Sequence, residues 1–88
     1  MLHKQLTVKI PEGLHFRALA KIAGIARRQK SSIILEKENG QKAESASLID
    51  MLTLCAVSGT SLQVTVEGGS EGETLAMVEE VFENGAGI

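Results

Sequence analysis

Tryptophan and tyrosine are absent from this chain, and Phe16 and Phe82 are its only aromatics. Single-stranded nucleic acids are bound largely by stacking bases on aromatic rings, so the scarcity argues against a nucleic-acid partner and requires an aliphatic interior. Cys55 is the only cysteine, which excludes an intramolecular disulfide and a cysteine-based metal cluster. It lies in an apolar run and reads as a small buried hydrophobe more readily than as a nucleophile. No apolar run approaches the roughly 18 residues of a membrane span. The start, Met1-Leu2-His3-Lys4-Gln5, leads straight into a strand pattern with no signal-peptide core, so the expectation is a soluble, cytoplasmic protein with no direct membrane insertion. Basic residues are missing from the whole second half. All nine Lys and Arg fall between Lys4 and Lys42, whereas eight acidic residues follow Ala43, a segregation that the net charge of −2 conceals. Such asymmetry predicts faces of opposite sign, although a merely solvated charge pattern would give the same count.

What is present suffices for one domain over 1–88, with 43% hydrophobic residues to build its core. Leu2, Leu6, Val8 and Ile10 alternate with His3, Gln5, Thr7 and Lys9, the period of a strand with one buried face, and Pro11 ends it. His3 lies on the polar face with no convergent partner. From Phe16 to about Gln29 the period becomes helical, with Leu19, Ile22, Ala23 and Ala26 as the core stripe. Arg17, Lys21, Gly24 and Arg28 share a narrow arc on the other side. They form a basic ridge that could dock an acidic partner or simply be solvated.

Ser31 to Lys37 reads as a second strand, Glu38-Asn39-Gly40 as a hairpin turn and Gln41 to Glu44 as a short return strand. Ser47 followed by Asp50 is a capping arrangement opening a short helix to about Leu54. That helix carries Leu48, Ile49, Met51, Leu52 and Leu54, more apolar residues than one face of two turns can bury. Either some of them form an exposed docking patch or the helix is a wholly buried linker. Ser58-Gly59-Thr60 is a turn, and Leu62, Val64 and Val66 mark the last strand, broken by Gly68-Gly69. Ser70 to Glu73 reads as a second capping box, launching a helix with Leu75, Val78 and Phe82 at helical spacing and closed by Asn84-Gly85. One-sided alternation with helices between strands predicts an α+β open-faced sandwich, an antiparallel sheet with helices on its apolar face.

The stretch with most chemical content is Gly13-Leu14-His15-Phe16-Arg17-Ala18-Leu19-Ala20, where a strand gives way to a helix with histidine at the junction. Helix-terminal N–H groups lack internal partners and the dipole is positive there, so a ring nitrogen at that end faces an anion site. Arg17 adds a fixed charge with a planar donor fork. Both features would stabilise a phosphoryl group carried transiently on His15. The residues alone also admit an ordinary exposed histidine beside a surface arginine.

Gly13-Leu14-His15 with Arg17 resembles the active-site motif of the HPr family, the histidine-containing phosphocarriers of the bacterial sugar phosphotransferase system. The likeness extends over essentially the whole chain, through Ile33-Ile34-Leu35-Glu36-Lys37, Ala46-Ser47-Leu48-Ile49 and Gly59-Thr60. It implies a sheet of strand order 1-4-2-3 with three helices on one face. It also implies a phosphocarrier that accepts phosphate on His15 from the upstream phosphotransferase enzyme and passes it to sugar-specific components. Arg17 and the backbone N–H groups of Phe16 and Ala18 would stabilise the phosphate. Lys21, Gly24, Arg28, Leu48, Ile49 and Leu52 would dock partners. The carrier would be a stoichiometric relay and no enzyme, a monomer needing no cofactor or metal.

Two departures fall in the motif. Ala18 stands where the family usually has a proline that pre-sets the first helical turn, and Phe16 where it usually has a small residue, so weaker preorganisation is expected. In many Gram-positive members a serine equivalent to Ser47 is the target of a regulatory kinase, which brings a serine kinase or a transcriptional regulator into view as further partners. Asp50 stands where the family commonly has glycine and would repel a phosphate on Ser47. A regulatory binding module of the same fold is the alternative function. A small phosphohydrolase ranks last, since no general base or side-chain amide is matched to position water.

Overall fold

The computed structural model describes residues 1–85; the end of the domain expected over 1–88 lies outside the described residues. The elements are β1 (Leu2–Thr7), α1 (Phe16–Gln29), β2 (Ser32–Lys37), β3 (Lys42–Glu44), α2 (Leu48–Thr53), β4 (Ser61–Glu67) and α3 (Glu71–Asn84). The strands form one antiparallel sheet of order β1-β4-β2-β3. Period-two alternation fixes its register: Leu6 faces Leu62, Leu35 faces Val64 and Ile33 faces Val66, so the apolar residues share one surface. That surface is closed by the helices, with Leu19 and Ile22 of α1, Met51 of α2 and Val78, Val81 and Phe82 of α3 almost wholly buried. The opposite surface carries Gln5, Glu36, Gln63 and Thr65, and His3 bonds there to the Thr65 hydroxyl at 3.2 Å.

The first strand leaves the sheet after Thr7, earlier than the alternation to Ile10 suggests. Val8 and Ile10 stay buried, but the Val8 N–H turns to the Thr60 carbonyl (2.9 Å) and the Lys9 N–H to the Phe82 carbonyl (2.8 Å). Leu2, at the end of an edge strand, is 38% exposed. Lys4, on the same side as Leu2 and Leu6, extends its ammonium to Glu79 of α3 at 3.1 Å. Lys9 pairs likewise with Glu83 (3.3 Å), and the N-terminal ammonium with Glu71 (2.8 Å), so α3 is tied to β1 and to the residues just before and after it.

The core stripe of α1 is rotated from the expected one. Ala18, Leu19, Ile22, Ile25 and Ala26 are buried, and Ala23 is only partly so. Packing against α3 draws Ile25 inward and brings the adjacent basic ridge to the rim of the α1–α3 contact. At α3 the expected capping box does not form. Ser70 makes no side-chain cap, and Glu71 instead accepts the Gly68 N–H at 2.9 Å, because the left-handed pair Gly68-Gly69 folds that carboxylate back over the turn. The N-terminal ammonium and then the Gly68 N–H hold the Glu71 carboxyl below the usual carboxylate range.

The cap on α2 forms as expected. The Ser47 side chain accepts the Asp50 N–H at 3.2 Å. At the other end the Lys37 ammonium donates to the Leu54 carbonyl (2.8 Å) and the Gln41 side-chain amide to the Thr53 carbonyl (3.0 Å), satisfying orphan acceptors where a cation also suits the dipole. Removing the cap in Ser47→Ala should cost about 1 kcal/mol, measured by denaturant unfolding. An unchanged midpoint would mean that the Lys37 and Gln41 contacts alone hold this short helix.

Candidate functional site

His15 is the N-cap of α1. Its backbone is extended (φ −83°, ψ 177°), its carbonyl accepts the Leu19 N–H at 3.0 Å, and its side chain makes no capping hydrogen bond. The imidazole is therefore half-exposed and uncommitted at the positive end of a 14-residue helix. Among the described residues, the N–H groups of Phe16, Arg17 and Ala18 have no acceptor. Phe16 and Arg17 are exposed, whereas Ala18 has no exposed surface, so the amides open to solvent are those of Phe16 and Arg17.

Backbone contacts fix the approach to His15. The Gly13 N–H donates to the Ile10 carbonyl (2.8 Å), the Leu14 N–H to the Ala56 carbonyl (2.8 Å) and the His15 N–H to the Gly13 carbonyl (3.0 Å). Gly13 has φ +78°, and a Cβ there would lie 2.8 Å from the Ala56 carbonyl oxygen and 2.9 Å from the Val57 Cα. The segment carrying His15 thus rests directly on the backbone of residues 56–58, an approach that only glycine permits.

Arg17, Lys21, Gly24 and Arg28 come together as the ridge requires, and line an open groove of about 550 Å³ between α1 and α3 with Ile25, Met77 and Glu80. Arg27, absent from the expected ridge, joins them. It stands on the crest between this groove and a second one toward α2, lined by Ala20, Ala23, Ser45, Ala46 and Leu48. None of these four cations is in an ion pair among the described residues.

The apolar surplus of α2 divides as the short helix requires. Met51 and Leu54 are buried, Leu48 is half-buried, and Ile49 (73%) and Leu52 (39%) are exposed. Two exposed apolar residues near His15 were not legible as such: the Phe16 side chain (59%) and Val57 (64%). Cys55 contradicts its expected burial. It is exposed with φ +50°, because Leu54 and Ala56 on either side are buried and hydrogen-bonded, leaving Cys55 to make the turn with its side chain outward.

Residues 2–84 match the family model PTS-HPr, the PTS HPr component phosphorylation site. The chain is 32% identical over 84 residues to the phosphocarrier protein HPr of Xylella fastidiosa, covering 96% of this chain and 93% of that one. It is 33% identical over 75 residues to the HPr-like protein Crh of Halalkalibacterium halodurans, covering 85% and 88%. Among solved structures it resembles HPr-C-His of Thermoanaerobacter tengcongensis, with a TM-score of 0.86 at 26% identity, covering 100% and 98%. Likeness over nearly the whole length, in sequence and in fold, defines a small phosphocarrier. The chain belongs to the HPr family of the phosphotransferase system.

Proposed function

We propose that His15 is the residue that carries the phosphoryl group. The observation supporting this is its place as an N-cap whose imidazole makes no capping bond, beside the unpartnered amides of Phe16 and Arg17. The Nδ1 lone pair attacks the phosphorus of the upstream enzyme's phosphohistidine. The new N–P bond forms as the old one breaks, and its electron pair returns to the donor's imidazole. The reverse exchange delivers the group to a sugar-specific component. The helix-end amides and the Arg17 guanidinium stabilise the phosphoryl oxygens by position and charge, which is most of what such a transfer asks of a protein. No water need be activated, so the chain is a relay without turnover of its own, acting as a monomer in the cytoplasm. Incubation with phosphorylated upstream enzyme tests this: acid-labile, base-stable phosphate on the intact chain supports the relay, and release of free phosphate would point to a hydrolase.

A regulatory module of the same fold is the second reading, favoured by the likeness to Crh and by Ala18 and Phe16 within the site. It predicts no label from the same incubation. Ser47 is a helix cap in either case and a poor kinase target, because the exposed Asp50 carboxylate at the third helical position repels a phosphoserine.

Docking falls to Lys21, Gly24, Arg28 and the α2 aliphatics Leu48, Ile49 and Leu52. Arg17, Lys21 and Arg28 are in no ion pair among the described residues and outnumber the one carboxylate of their groove, Glu80, so they should steer an acidic partner. Association should slow as salt shortens the Debye length below about 10 Å. Arg17→Ala should slow phosphotransfer more than Arg28→Ala, since only Arg17 adjoins His15. Equal losses, or a rate indifferent to salt, would reduce the ridge to a solvated face.

A further inference from the structure

The chain has two aromatic rings. One, Phe82, is 1% exposed in the core; the other, Phe16, is the first residue of α1 and 59% exposed immediately after His15. Nothing in the fold requires a ring there. The Phe16 N–H is unpartnered, its side chain is outside the core, and the helix stripe begins at Ala18. A second exposed apolar side chain, Val57, comes from a different segment, yet its position relative to His15 is set. The Leu14–Ala56 hydrogen bond and the contact of Gly13 with Val57 hold the two backbones together. One residue beyond Phe16 begins the groove of Arg17, Lys21, Arg27 and Arg28, four cations in no ion pair among the described residues against the single carboxylate of Glu80. A phosphoryl acceptor with exposed apolar side chains on its own and on the adjoining segment, at the end of a basic groove, complements one kind of surface: an apolar recess beside the donor's phosphohistidine, edged by carboxylates.

We propose that Phe16, with Val57, is a specificity determinant that selects a phosphoryl donor bearing such a recess. This rests on His15 being the phosphoryl acceptor. The ring acts on encounter and not on the chemical step, because it offers no polar group to the phosphate, while its rigid apolar area suits an interface anchor. Small residues at this position would fit donors whose corresponding surface is filled, against which Phe16 would clash.

The test measures phosphorylation by the upstream enzyme of the same organism over a range of carrier concentration, with Phe16→Ala, Phe16→Leu and Val57→Ser. Alanine is a good helix former and Phe16 is outside the core, so folding should be unaffected. Phe16→Ala is expected to raise KM roughly 10- to 30-fold, the loss of one buried interface anchor, with kcat at saturation within about twofold. Phe16→Leu should recover most of the loss, and Val57→Ser should give a smaller rise. With an upstream enzyme whose own carrier has alanine after its histidine, Phe16→Ala should be a better acceptor than the unaltered chain. If KM is unchanged, or kcat falls at constant KM, the selection proposal is overturned while His15 phosphorylation stands. If the unaltered chain takes no label, both fall together.

Discussion

His15→Ala should lose all acid-labile phosphate when incubated with phosphorylated upstream enzyme, while its unfolding midpoint moves little. The loss is total because acid-labile, base-stable phosphate marks a phosphorylated imidazole, and the other histidine, His3, lies on the polar face of the sheet, bonded to Thr65; Arg17 is protonated at every working pH and cannot act as a nucleophile. Stability is retained for a reason specific to this N-cap. Capping residues normally contribute about 1 kcal/mol through a side-chain hydrogen bond, and His15 makes none. Its structural contribution is made by its backbone, through the Leu19 N–H and the Gly13 carbonyl, which alanine keeps. The half-exposed ring leaves no buried cavity when removed. Undiminished labelling of the variant would move the phosphate to another residue, while a large drop in stability would show that the imidazole helps to hold the loop.

Much of this architecture is legible in the sequence where one physical rule acts alone. Strand β4 has one buried face, Leu62, Val64 and Val66, and one facing solvent, so alternation marks it directly. Ser47 and Asp50 stand at the right spacing before a helical run, and the cap forms. The expectations that failed are those where a second rule intervened. Ala23 and Ile25 of α1 both lie near the stripe boundary, and contact with α3, which no local pattern records, decides in favour of Ile25. Ser70 has the right spacing for a capping box, but two left-handed glycines before it redirect the chain and hand the role to Glu71. Cys55 looks buried by composition, yet its neighbours' hydrogen bonds dictate a left-handed turn that puts it outside. At the candidate site, the histidine, the arginine and the helix end could be read together because they are contiguous. Val57 could not, because only the close approach of Gly13 to the backbone of residues 56–58 brings it beside His15.

That approach supplies the second large effect. Gly13→Ala should destabilise the protein by about 2–3 kcal/mol and slow phosphotransfer by at least tenfold. Two costs combine. A left-handed conformation costs an L-residue about 1–2 kcal/mol. The new methyl would also meet the Ala56 carbonyl oxygen at 2.8 Å and the Val57 Cα at 2.9 Å. Both are backbone atoms that no rotamer change can withdraw, so one segment must shift. The Leu14–Ala56 hydrogen bond lies at the same point, and moving it displaces His15 from the end of α1. A reacting atom displaced by about an ångström can lose two orders of magnitude in rate. Gly40 is the control, with φ +90° and no atom within 4 Å of where a Cβ would stand, so Gly40→Ala bears the conformational cost alone. Urea unfolding and phosphotransfer rates of the two variants separate the contributions. Gly13→Ala should be the less stable by about 1 kcal/mol or more, and it alone should transfer phosphate slowly. Equal stabilities would mean that the 56–58 segment yields without cost. A normal transfer rate in Gly13→Ala would show that His15 reaches its working position without the backbone contact beneath it.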